Sequence, residues 1–264
     1  MYPRHFHRFV FSSLLAFYFF SGTVLAQEVV HLQTIEEFDQ NGKEVPMAKT
    51  SIDLLNYIEK SLNIRFEIKR VPWKRAMDNA LRNDVLLMGM SMTSERAKKY
   101  AFSSAINANG NWLITRCDAR FEFNSLQDLK GKLIGIVIGT SAGEAFDQQI
   151  NKLFRIENDI GAGVSRLQKL MARRMDALVW YGVTSDVNEM QEHINRRYAS
   201  QVSPNDTGSP QPLCVLPKPI SIVTNHFAMR ISPQNQQLLE RISQAISKGR
   251  KEGAIPSVPA TILN

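Results

Sequence analysis

Between Gly89 and Ser103 the chain reads Gly-Met-Ser-Met-Thr-Ser-Glu-Arg-Ala-Lys-Lys-Tyr-Ala-Phe-Ser. Hydroxyls at Ser91, Thr93 and Ser94 lead into a charged segment in which Arg96 is the residue with the most directional chemistry. A guanidinium presents a planar fork of N–H groups that matches the two oxygens of a carboxylate. Thr93 or Ser94 can cap a short helix here, and Gly89 lets backbone N–H groups crowd toward one point, so the loop can offer several convergent donors to an anion. The same residues also suit an ordinary cap followed by a solvated arginine.

A second stretch has similar chemistry. Leu133 to Val137 is apolar, Gly139-Thr140-Ser141-Ala142-Gly143 follows, and Glu144 opens a segment with Ala145, Phe146, Ile150 and Leu153 on one helical face. Strand, small hydroxyl residues and helix start again make an anion-binding arrangement, although ordinary capping fits too. The Walker lysine of a nucleotide-phosphate loop is missing. Pro72-Trp73-Lys74-Arg75-Ala76 places an aromatic and a cation at another helix start. Trp73 and Arg75 suit either a cleft wall with a second anion contact or a packed staple with a solvated charge.

The elements that must hold these residues alternate between strand and helix. Val29 to Leu32 reads as a first strand, and the loop after it, with Glu36 and Phe38, would face the crevice of an α/β sheet. Ile52, Leu55, Ile58 and Leu62 mark a helix over Ser51 to Leu62, and Ile64 to Ile68 alternates as a half-buried strand. Val85 to Met88 delivers the Arg96 loop. Asn111 to Arg116 is a further strand, Val164, Leu167, Leu170, Met171 and Met175 form a helical stripe, and Met175 to Tyr181 is again a strand. Ser203 to Pro219 reads as a long loop, Ile220 to Met229 as a strand, and Pro233 starts a last helix with Leu238, Leu239, Ile242 and Ile246 inward. His193 and His226 lack acidic neighbours at ligand spacing and read as structural.

Arg4, His5, His7 and Arg8 precede a short apolar stretch, Phe9 to Leu25, and Val24-Leu25-Ala26 has the form of a signal-peptidase site. Residues 1–26 are therefore expected to be a signal peptide, with the mature protein in the periplasm. The formal charge of the 264-residue chain is +7, and its basic residues are scattered. That argues against a nucleic-acid partner. The two cysteines, Cys117 and Cys214, lie too far apart for a CxxC site and are expected to bridge in an oxidising compartment.

The Arg96 loop resembles the ligand loop of the bacterial family 3 extracellular solute-binding proteins: a hydroxyl residue, Thr, two residues, Arg, then Phe-Ser, here Ser91, Thr93, Arg96, Phe102 and Ser103. Ser125-Leu126-Gln127-Asp128-Leu129-Lys130-Gly131-Lys132 matches the family's entry into the second lobe almost residue for residue. The resemblance implies a two-lobed α/β fold of the type 2 periplasmic binding protein class, two doubly wound lobes joined by two crossover strands. On this reading residues 27–115 and 222–264 form the first lobe and 116–221 the second. It gives Arg96 the ligand's carboxylate, makes Ser91, Thr93, Thr140 and Ser141 hydrogen-bond donors, and places Trp73, Arg75, Phe38 and Tyr181 around the ligand. Amino-acid receptors of the family carry an aspartate for the α-ammonium group where Tyr181 falls, which points to a ligand without that group.

The function so implied is capture of a small polar, carboxylate-bearing organic molecule by a monomer that serves the membrane permease of an ABC importer. No catalytic residue, cofactor or metal is expected. Two alternatives share the scaffold: a sensor for a membrane signalling partner, and a dehydratase-type enzyme, for which Glu36 and Glu144 are the available acids.

Overall fold

The computed structural model describes residues 27–182, 184, 186–202 and 211–258. The expected signal peptide and most of the first half of the expected 203–219 loop lie outside those residues. Strand β1 (Glu28–Ile35) is followed by the two-residue β2 (Glu37–Phe38), helix α1 (Lys49–Leu62), β3 (Ile64–Val71), α2 (Trp73–Arg82), β4 (Leu86–Ser91), the single-turn α3 (Ser94–Ala97) and the long β5 (Tyr100–Arg116). Then come β6 (Leu133–Val137), α4 (Glu144–Asp147), β7 (Arg155–Asp159), β8 (Ala162–Gly163), α5 (Val164–Met171), β9 (Ala177–Tyr181), α6 (Val187–Val202), β10 (Leu213–Val215), β11 (Ser221–Arg230) and α7 (Pro233–Lys251).

The main sheet runs β3-β1-β4-β11-β5-β9-β6-β7, with β10 added on β5. Its outer strands pair in parallel, as βαβ units do, while β11 and β5 run antiparallel to their neighbours through the centre. Two packed cores occupy the first end of the sheet. One forms between β1, β3, α1 and α7, around Leu32, Ile58, Ile64, Phe227 and Ile242; the other lies under α2, around Trp73, Ala76, Leu87 and Met90. Two more occupy the second end, one around Trp112, Leu167, Leu178 and Ile194, the other around Leu113, Phe146, Phe154 and Val179. The result is two α/β lobes, each with apolar layers on both sheet faces, joined by two crossover strands.

Several elements differ from the sequence expectation. β5 begins eleven residues before Asn111. Its added part, which includes Asn107, Asn109 and Gly110, has poor strand composition but is held in register by β11, so tertiary pairing overrides local preference. The helix after Gly143 stops at Asp147, because Ile150 turns back to bridge Phe154. The stretch over α6 has no counterpart in the sequence reading, and β10 falls inside the expected long loop. Cys117 and Cys214 are bonded to each other, tying the end of β5 to β10.

Candidate functional site

Strand β4 stops at Ser91, and the side chain of Thr93 caps α3 by accepting the N–H of Arg96 at 3.2 Å. The short helix then turns the Arg96 side chain inward, where it is only 8 % exposed. Nη1 donates to the Ser91 carbonyl at 2.7 Å and to the Ser91 hydroxyl at 2.6 Å; Nη2 donates to the carbonyl of Gly139, in the second lobe, at 2.8 Å. Three of the five guanidinium N–H bonds are thereby used, leaving one on Nε and one on Nη2 without an acceptor among the described residues. No carboxylate stands within ion-pair distance of Arg96 among those residues. Burial pulls its pKa down, and the nearby Asp147 pulls it back up.

A cavity of about 370 Å³ opens between the lobes beside this group. Of the expected site residues, Ser91, Arg96, Thr140, Ser141, Tyr181 and Trp73 line it. Thr93 does not, since its hydroxyl is spent on the cap. Arg75 points to solvent from α2, and Phe38 lies on β2, 39 % exposed, outside the cavity wall.

The second-lobe loop is held by its own network. Ser141 Oγ donates to the Asp147 carboxylate, which also accepts the N–H of Ala142 at 3.1 Å, and the N–H of Gly143 reaches Ser141 Oγ at 3.1 Å. Burial pushes the Asp147 carboxyl up, against the pull of these bonds. Thr140 and Tyr181 share a hydroxyl–hydroxyl hydrogen bond, and burial drives the Tyr181 phenol up to about 12. Tyr181 is therefore neutral at any physiological pH, and presents an aromatic edge and a hydroxyl rather than a charge.

Among the described residues, four arginines line the cavity, Arg70, Arg96, Arg166 and Arg197, against a single acid, Glu37. Arg166 is 2 % exposed and ion-paired with Asp159 at 3.0 Å, so its charge is balanced within the second lobe. Arg70 meets Glu44 at 3.3 Å and the carbonyl of Ile35 at 3.1 Å. Arg197 stands 3.8 Å from Glu37, so Arg96 is the one of these four that, among the described residues, meets only neutral groups.

Sequence reasoning missed Glu37, His193, Tyr198 and the asparagines of the crossover strands, all of which line the cavity. It placed Glu36 and Phe38 there instead. Successive strand residues face opposite ways, so β2 turns Glu37 inward and its neighbours away. Glu37 accepts a hydrogen bond from the Tyr198 hydroxyl at 2.8 Å, and burial with this carboxylate pushes the Tyr198 pKa up strongly. The acids named for an enzyme are not poised for one. Glu36 is not on the cavity, and Glu144 is engaged by the backbone N–H of Ser94.

The lobes touch directly at several points besides Arg96. β2 pairs in parallel with β8, Glu37 opposite Ala162 and Phe38 opposite Gly163, so a two-stranded ladder crosses from one lobe to the other. Val137 of the second lobe is buried in the first lobe's core under α2. The geometry is that of a closed cleft.

Residues 48–259 match the sequence pattern of the bacterial extracellular solute-binding proteins, family 3. The L-cystine-binding protein TcyJ of Escherichia coli is 23 % identical over 230 residues, 85 % of this chain and 77 % of that protein. The arginine-binding extracellular protein ArtP of Bacillus subtilis is 25 % identical over 132 residues, 48 % of this chain and 50 % of its own. Among solved structures, an ancestral arginine-binding protein bound to arginine superposes with a TM-score of 0.66 at 22 % identity, covering 86 % of this chain and 95 % of that one. The holo arginine-binding protein of T. maritima superposes at 0.64 with 20 % identity, covering 84 % and 90 %.

Proposed function

Since the chain belongs to the bacterial extracellular solute-binding proteins of family 3, we propose that it captures a small carboxylate-bearing organic molecule between its lobes in the periplasm and delivers it, as a monomer, to the membrane permease of an ABC importer. Arg96 carries this reading. It is a buried cation with two unspent N–H donors, facing a cavity and lacking a carboxylate partner among the described residues. A ligand carboxylate completes its hydrogen bonding and supplies the missing charge.

The roles follow from position. Ser91 holds the Arg96 fork; Thr140 and Ser141 face it from the second lobe; Trp73 and Tyr181 form apolar and aromatic wall. Arg75, Thr93 and Phe38, which the sequence reading places beside the ligand, stand outside the cavity lining. A ligand that touches both lobes binds the closed state more tightly than the open one, and this difference drives closure. The hinge of that motion is the β5–β11 pair, with the first lobe formed by residues 27–115 and 222–264 and the second by 116–221.

The relatives are named for cystine and arginine, both amino acids. Tyr181 gives this chain a neutral group where amino-acid receptors place an acid, so its ligand is the carboxylate of a molecule whose α-substituent is uncharged.

The test is thermal unfolding of residues 27–264 and of the Arg96→Ala variant against amino acids, hydroxy acids, other carboxylates and phosphorylated metabolites. A ligand at 100 times its dissociation constant stabilises the fold by about 2.7 kcal/mol. The expected outcome is a stabilising carboxylate whose effect the variant loses. A hit that shifts both proteins equally removes Arg96 from the site.

A further inference from the structure

We infer that Arg166 is a second binding residue of this cleft, whose Nη1 group donates to an uncharged carbonyl oxygen of the ligand, that of an oxo or amide group. The inference rests on the reading of Arg96 as the carboxylate clamp and names the ligand's second polar group.

Arg166 stands in the first turn of α5 and lines the cavity. Nε donates to Asp159 at 3.0 Å, and Nη2 gives its two protons to the carbonyls of Val179 at 2.9 Å and Gly135 at 3.3 Å. The two N–H groups of Nη1 have no acceptor among the described residues. Nor is Nη1 sealed off. Among the described residues, the side-chain atoms that are both sealed and unpartnered are the amide oxygens of Asn111, Asn195 and Gln201. Nη1 is not one of them, so it keeps surface on a side chain that is only 2 % exposed overall. The space that Arg166 lines is the cavity, and the two free donors face it.

This wall lies close to the Arg96 end. Arg96 donates to the Gly139 carbonyl, and the next residue, Thr140, shares its hydroxyl with Tyr181. Burial pushes the Tyr181 phenol up, while the Thr140 bond and the charges of Arg166 and Arg96 pull it down, so both guanidinium groups lie within electrostatic reach of one ring. Tyr181 itself has no proton for a ligand. Thr140 Oγ1 gives its own proton to the Val137 carbonyl at 2.5 Å, so the proton between the two hydroxyls is that of Tyr181. The donor to a ligand oxygen at this wall is Arg166.

Charge decides what kind of oxygen it is. Asp159 also meets Lys169 at 2.7 Å, and Lys169 meets Glu157 at 3.3 Å, so the cluster around Arg166 holds two cations and two acids. A second ligand carboxylate there would be desolvated with no unbalanced cation to offset it. An apolar group would displace water from two donors of a buried cation and return nothing. A neutral carbonyl gains a charge-assisted hydrogen bond without an ion to desolvate. The ligand class is therefore a monocarboxylic acid that carries an oxo or amide carbonyl.

The test is calorimetric titration with five-carbon acids: pentanoate, 2-oxopentanoate, 4-oxopentanoate, glutaramate and glutarate. Wild-type protein is expected to bind a carbonyl-bearing monoacid about tenfold more tightly than pentanoate, and more tightly than glutarate. Arg166→Lys keeps a cation opposite Asp159 and should bring the ratio to pentanoate close to one. Equal affinity of wild-type protein for pentanoate and every carbonyl-bearing acid overturns the inference, as does tightest binding of glutarate, or a preference that Arg166→Lys retains. Should that variant fail to fold, a crystal structure of wild-type protein with the preferred acid decides: a carbonyl oxygen within about 3.2 Å of Nη1 supports the inference, and one elsewhere overturns it. Binding that survives Arg96→Ala, or no binding of any acid, is a different failure. It overturns the carboxylate-clamp reading, and this inference with it.

Discussion

A Cβ placed on Gly163 would lie 2.5 Å from the carbonyl oxygen of Phe38. The two residues belong to different lobes, and they are paired in the short β2–β8 ladder that crosses the cleft. Gly163 also has φ +110°, a conformation that residues with a side chain rarely adopt. Both facts make this glycine a condition of closure.

Gly163→Ala is therefore expected to hold the cleft open without touching any proposed ligand contact. Affinity should fall at least tenfold, since the binding-competent state is depopulated. Small-angle scattering with saturating ligand checks this: the variant should keep a larger radius of gyration than wild type.

Glu144 supplies a second fastening, its carboxylate accepting the backbone N–H of Ser94 at the start of α3. That bond holds its pKa below the ordinary glutamate value of 4.5. A depressed pKa in the closed state means that the fastening is present above the ordinary value and is lost as the pH falls through the depressed one. The Glu144 contribution to ligand affinity should be flat through neutral pH and weaken only in the acid range below 4.5. Glu144→Gln should remove most of that acid-side slope, measured by titration at a series of pH values in constant salt.

Glu37 and Tyr198 join the lobes at another edge of the cavity. A double-mutant cycle with Glu37→Gln and Tyr198→Phe, read as ligand affinity, is expected to give a coupling of about 1 to 2 kcal/mol. Additive effects would show that the bond contributes nothing to the closed state.

The Cys117–Cys214 bond closes a loop with a sequence separation of 97. Replacing both cysteines with serine should destabilise the fold by about 3 to 4 kcal/mol in urea unfolding, with little change in ligand affinity, because the bond lies at the far end of β5 from the cavity.

Much of this architecture is legible in the sequence because its signals are local. Asp128 closes on the N–H groups of Asn124 and Ser125 at 2.8 Å, which is what the Ser-Leu-x-Asp-Leu motif encodes. The apolar periodicity of α1, α5 and α7 likewise needs no partner to be read. Arg96 was visible because a cap and a charge fall at short spacing. What stayed hidden depends on distant partners. β5 extends through an asparagine-rich stretch only because β11 lies beside it, and the Ser94–Glu144 bond joins residues 50 apart. Asn111 is a neutral residue in no motif. Its amide is held by Ser221, 110 residues further along the chain.

The long strands β5 and β11 stay hydrogen-bonded to each other from one lobe into the other, with register irregularities around His226. A two-stranded ribbon resists stretching and sliding but flexes across its width, and bulges concentrate bend and twist where they occur. The lobes of this protein are thus confined to something close to a single rotational coordinate, like the leaves of a book on a stitched spine. Encounter with a ligand does not require a search through many mutual orientations, because the only path away from the closed state is also the path back to it.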